Sequence, residues 1–181
     1  MFYFVAYGTF NQILSYILVK AQFKNTMFLG YLYFPIVFMF LGLFYKELFK
    51  GFIRERVILL LILLFSLYSL INALFIQSIA EFPSLPGAIT QITFLAASIV
   101  FFYKTMLEAK ITKLWDEPLI WINFAVLIYY AGGLSTSLLL NLALDQSMDF
   151  AKLITRGFHA LNAIFYVLLT IGFVKAIKQK R

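Results

Sequence analysis

The side chains able to do chemistry in this sequence are few, and most sit in apolar surroundings. Asn11, Gln12, Asn72, Gln91, Asn141, His159 and Asn162 each interrupt a hydrophobic run. His159 is the one histidine, and Asn162 follows it at helical i, i+3 spacing within "ITRGFHALNAIFY". An imidazole there can hydrogen-bond, sense pH or ligate metal. Metal is disfavoured, because the chain has no cysteine and no second histidine, whereas zinc takes three or four such ligands. The chemistry expected is hydrogen bonding: either a polar ligand pocket formed by all seven residues, or contacts that tie helices together at about 0.6 kcal/mol each.

Spacing places several of these groups on common helical faces. Gly8, Asn11 and Ser15 share one; Gly133, Ser137 and Asn141 share another; His159, Asn162 and Tyr166 share a third. In lipid a polar face is expected to turn inward, toward other helices or a wet cavity. "GGLSTS", Gly132 to Ser137, together with His159, resembles the serine and histidine dyad of rhomboid-type intramembrane proteases. Those proteins carry Gly-x-Ser-Gly on their fourth span, whereas Gly133-Leu134-Ser135-Thr136 stands here on the fifth. The further histidine and asparagine of their second span have no counterpart. An enzyme is therefore disfavoured.

The elements that must position these groups are transmembrane helices. Of 181 residues, 63% are hydrophobic and 13% charged, and the mean hydropathy is +0.92. A soluble domain carries about 25% charged residues, so too little polarity remains to coat a globule in water. Six stretches reach the about 17 to 25 apolar residues a span requires: Phe2 to Val19, Met27 to Tyr45, Val57 to Gln77, Gly87 to Tyr103, Pro118 to Leu142 and Gly157 to Val174. The reading is an all-α polytopic bundle, one transmembrane domain over residues 1–181, with Pro35 expected to kink the second helix. The N-terminus lacks the basic region and cleavage site of a signal peptide, and "ALDQSMDFAKLITR" reads as a connector between the last two spans.

Charge placement sets the expected orientation. Eleven Lys and Arg fall in one set of alternate connectors and the C-terminal tail, four in the other, which by the positive-inside rule predicts cytoplasmic termini in a bacterial inner membrane. Although the net charge is +7, the basic residues sit in short juxtamembrane clusters, and nucleic acid is not the expected partner. The cluster Lys175, Lys178, Lys180 and Arg181 is expected to meet anionic lipid or a cytoplasmic signalling partner. With that orientation most intramembrane polarity falls on the outer side, Asn123 being the exception. No nucleotide-binding motif or other cofactor signature is present.

The segment "EPLIWINFAVLIYYAGGLSTSLLLNLAL", followed by "FHALNAIFYVLLTIGFVKA", resembles a family of small, uncharacterised multi-helix membrane proteins common in Bacteroidetes. Pro-x-x-Trp-Ile-Asn, Tyr-x-x-Gly and His-x-x-Asn recur in that family and match Pro118, Trp121, Ile122, Asn123, Tyr129, Gly132, His159 and Asn162. The resemblance implies a seven-span parent, so that this chain would lack a first helix, and it departs at Val37, where an acidic residue is expected. Such genes often neighbour two-component signalling genes, which implies a sensory or accessory module with an outward-facing pocket for a small ligand or lipid. A small transporter is the alternative, and a purely structural subunit the third reading.

Overall fold

A computed structural model describes residues 1–23, 25–108 and 114–179. Among them six helical segments are long and apolar enough to cross a membrane: α1 (Phe2–Lys20), α2 (Phe28–Leu48), α3 (Glu55–Ile71) with the turn that continues it to Ile76, α4 (Ser84–Glu108), α5 (Pro118–Gln146) and α6 (Met148–Gln179). No strand occurs among the described residues. Helices are the outcome that lipid dictates, since each satisfies its own backbone donors and acceptors where no water can. The chain is thus an all-α, multi-pass membrane protein. It divides into two compact units, Met1–Thr90 and Gln91–Arg181.

In the first unit α2 is the buried element. Val37, Phe38, Leu41 and Tyr45 lie at i, i+1, i+4 and i+8 on its inner face. Phe38 stacks on Phe65 of α3 with ring centroids 4.0 Å apart, and Gly42 lets Ile62 approach. The α2–α3 turn closes at Gly51, whose φ of +79° a side chain would strain. Lys46 then reaches Glu55 across the turn at 3.6 Å. By contrast α1 is held mainly by aromatics, Tyr7 stacking on Tyr33 at 6.0 Å and Tyr3 on Phe40 at 6.4 Å. Helix α2 runs unbroken through Pro35.

The end of α3 departs from a plain helix. Asn72–Ile76 forms a π-helical turn, marked by Gln77 N–H donating to Asn72 O at 3.0 Å. Polar side chains brace it. Asn72 Nδ2 donates to Gln77 Oε1 at 3.1 Å, and Gln77 Nε2 donates to Ser84 Oγ at 2.9 Å. Leu85 N–H, in the first turn of α4, also donates to Gln77 Oε1 at 3.3 Å.

The second unit is built on the α5–α6 hairpin. Gly132 of α5 faces Leu161 of α6, and Gly172 of α6 faces Ile122 and the Pro118 carbonyl. The helices therefore keep antiparallel register over ten residues of one and eleven of the other. Tyr129 fills the space between, 4.6 Å from the Phe165 ring and 5.4 Å from Phe158. The portion of α4 in this unit joins α5 through Phe94 against Tyr130, 5.5 Å apart, and through Ser98 Oγ donating to Asn123 O at 3.1 Å.

Where a connector was expected, residues 143–156 are helical except for Ser147. Ser147 is extended, at φ −164° and ψ 145°, and serves both helices. Its N–H donates to Ala143 O at 2.9 Å to end α5. Its Oγ accepts from Phe150 N–H at 3.2 Å to start α6, an N-cap bond to the third helical residue. Asp149 in the first turn complements the helix dipole. At about 1.5 Å per residue both helices outrun the hydrocarbon thickness of about 30 Å.

Candidate functional site

The boundary of the second unit with the membrane surface is marked by aromatic rings. Trp115 lies 5.6 Å from Trp121 and stacks on Phe124 at 6.2 Å and 11°. Trp121 Nε1 donates to Trp115 O at 2.8 Å, and Phe102 packs on Phe124 at 4.9 Å. Indole rings with an apolar body and a polar N–H favour the headgroup level. Lys175 Nζ meets Asp116 Oδ1 there at 3.3 Å, and Gln179 Nε2 donates to Asp116 O at 3.1 Å. This is the basic end. About 20 residues of helix cross the hydrocarbon, so from Pro118 the opposite boundary falls near Leu138 on α5, and from Lys175 near Thr155 on α6.

Close to that opposite boundary the hairpin opens into a groove of about 210 Å³. Gly132, Ser135, Thr136 and Leu139 line it from α5, and Ile154, Gly157, Phe158 and Leu161 from α6. Its existence follows from residue size, since Gly157 has no neighbouring heavy atom within 4 Å of where a Cβ would stand. No lining residue is charged. Ser135 Oγ donates to Gly132 O of its own helix at 2.8 Å, so the hydroxyl of the "GGLSTS" serine is taken up by the backbone. Engineered apolar cavities near 150 Å³ admit benzene, and this groove is therefore of the size of a single ring or a short run of acyl chain.

Beside the groove lies a buried polar layer. Gln91 of α4 packs on Gly133, its Nε2 standing 3.1 Å from a built Cβ. Gln91 Oε1 and Ser137 Oγ are buried without hydrogen-bond partners. Ser137 is one helical turn beyond Gly133 on the same face of α5. Toward the basic end, Ser98 and Asn123 are both fully buried, and Asn123 Nδ2 donates to Leu119 O at 2.9 Å.

The seven residues expected to form one pocket divide between the two units. In the first, Asn11 is half-buried on α1, Gln12 is exposed, and Asn72 is fully buried at the π turn with Oδ1 unpaired. In the second, Gln91 is buried, Asn162 is half-buried and His159 is exposed. The side chain of Asn141 and the residues Lys180 and Arg181 lie outside the described residues; Lys178 is exposed. The expectation that His159, Asn162 and Tyr166 form the inward face of the last span is not met for His159. The buried residues of α6 are instead Ala151, Phe165, Leu169 and Gly172. His159 follows Phe158, and the 100° helical step carries it off the packed face. It stands within about a turn of the opposite boundary, where an imidazole reaches the headgroup layer without an inward partner.

Sequence reasoning missed Gly157, Thr136 as a groove residue, and Ser98. A glycine preceding an aromatic in an apolar helix was the available signal for the first, and none separated the others from ordinary packing residues. Among the described residues no three His, Asp or Glu side chains come together as metal ligands. Compared with family models, curated proteins and solved structures, the chain matches none.

Proposed function

We propose that this multi-pass membrane protein is a sensory or accessory module. In this reading a small apolar or amphiphilic ligand enters the α5–α6 groove, and its presence is passed to a partner at the basic end. The supporting observation is the open space of about 210 Å³ between two helices otherwise locked together by Gly132–Leu161 and Gly172–Ile122 contacts. Helices α5 and α6 run without interruption from the groove to the Trp115 and Lys175 cluster. A ligand that pries them apart at one end therefore shifts their packing at the other. The resemblance to proteins encoded beside two-component genes agrees with a signalling role and supplies its expected context, a bacterial inner membrane with both termini cytoplasmic.

The test fills the groove. Because nothing lies within 4 Å of the Gly157 Cβ position, Gly157→Trp is expected to leave Tm unchanged while weakening saturable binding of 1-aminoanthracene by at least about tenfold. Equal binding by the wild type and Gly157→Trp would remove the ligand role of the groove. A transporter is the second reading, favoured by the unpaired Gln91 and Ser137 oxygens and by the Ser98–Asn123 pair toward the other surface. Against it stand Ile120, Ala125 and Val126, which have no exposed surface at all. Solute flux in liposomes that is abolished by Ser98→Val would favour that reading.

A further inference from the structure

Lys152, Arg156 and His159 recur at i, i+4 and i+7 on α6, and all three are exposed. Successive 100° steps place them on the side of the helix away from the Ile154, Gly157, Phe158 and Leu161 groove face. We infer that this stripe is a binding site for the phosphate headgroup of an anionic phospholipid, in the leaflet opposite the basic, tryptophan-bearing end. This site is independent of the groove reading.

Depth, charge and the continuation of the face point the same way. The opposite boundary falls near Thr155, so Lys152 stands outside the hydrocarbon at the level of a phosphate, and Arg156 and His159 stand within it with side chains that tilt outward toward the helix N-terminus. Among the described residues no carboxylate pairs with Arg156, and Lys152 has only the exposed Asp149, at 3.3 Å. The stripe thus offers a guanidinium fork, an ammonium and an imidazole N–H to one anion, the donor set that phosphate accepts best. Below His159 the same side of α6 becomes apolar, with Ala163, Val167 and Val174 all exposed. This gives the acyl chains of the same lipid a surface, with Thr170 neutralised by donating to Tyr166 O at 2.8 Å.

The chain contains no cysteine, so Ala163→Cys carries a single bimane reporter beside the expected lipid chains. In nanodiscs, phosphatidylglycerol with a doxyl-labelled chain should quench it at about one twenty-fifth of the mole fraction needed for doxyl-labelled phosphatidylcholine, since Lys152 and Arg156 each contribute roughly a fivefold preference. Arg156→Gln combined with Lys152→Gln should abolish the preference, and Arg156→Lys should keep most of it. A reporter at Val174→Cys should be indifferent to both changes, which separates a local site from misfolding. Equal quenching by the two lipids in the parent, or a preference that survives the double substitution, overturns the inference. Loss of the preference in millimolar inorganic phosphate at constant ionic strength also overturns it, because the site would then take the free anion.

Discussion

Gly132, Gly157 and Gly172 serve the same hairpin in three different environments, and alanine at each separates them. A Cβ on Gly172 would meet the Pro118 carbonyl at 3.2 Å and Ile122 Cγ1 at 2.8 Å, and a backbone oxygen cannot move aside. On Gly132 it would meet Leu161 Cδ1 at 2.5 Å, the far end of a side chain that can rotate. Gly172→Ala is expected to cost about 1 to 3 kcal/mol and Gly132→Ala less, while Gly157→Ala is neutral or stabilising by up to about 1 kcal/mol through helix propensity. Thermal unfolding in detergent should rank Tm in that order, and equal values would contradict the register. The unpaired groups separate in the same way. Asn72→Ala removes the bond to Gln77 and should destabilise by about 1 to 2 kcal/mol, whereas Ser137→Ala deletes an oxygen that bonds nothing and should be neutral or better. Which residues are polar could be read from the chain itself. Which polar atoms have partners could not, because Gln77 meets Asn72 only through the π turn that no periodicity announces.

At the level of elements, the joint between α5 and α6 rests on one side chain. Ser147→Ala is expected to cost about 1 kcal/mol, and Ser147→Gly a few tenths. Hydrogen exchange at the amides of Phe150 and Ala151 should accelerate in the alanine variant first, and uniform acceleration along α6 would show that the cap is not where the helix is held. The existence and order of all six spans were legible, since a run of apolar residues is both what lipid requires and what a sequence displays. The extensions of α5 and α6 beyond the hydrocarbon were not. Residues 143–156 are polar enough to resemble a loop, and only capping at Ser147 makes them two helix ends. Nor was the packed face of α6 legible. A helix in lipid is apolar on most sides, so the spacing of His159, Asn162 and Tyr166 did not reveal that His159 is exposed while the other two are half-buried.

Along the whole chain Lys and Arg fall eleven to four between alternate connectors, and the absence of cysteine makes topology measurable. Single cysteines at Ser147 and at Lys178, treated with an impermeant maleimide on intact cells, should be labelled in opposite compartments, with Ser147→Cys reacting from outside if the positive-inside reading holds. Reaction of both from one side would remove a span from the count. The one-residue joint also bears on how the protein is made. With one residue between them, α5 and α6 are expected to enter the bilayer together, as a hairpin carried across tip first. Between Ala143 and Gly157 that tip carries Asp145, Asp149, Lys152 and Arg156, two charges of each sign. A single charge crossing 100 mV is worth about 2.3 kcal/mol, but a tip of zero net charge exchanges no such work with the membrane potential. Insertion of the last two spans should accordingly proceed at the same rate in energised and uncoupled membranes. Asp149→Lys, which removes one negative charge and adds one positive and so takes the tip to a net +2, should make that insertion sensitive to the protonmotive force.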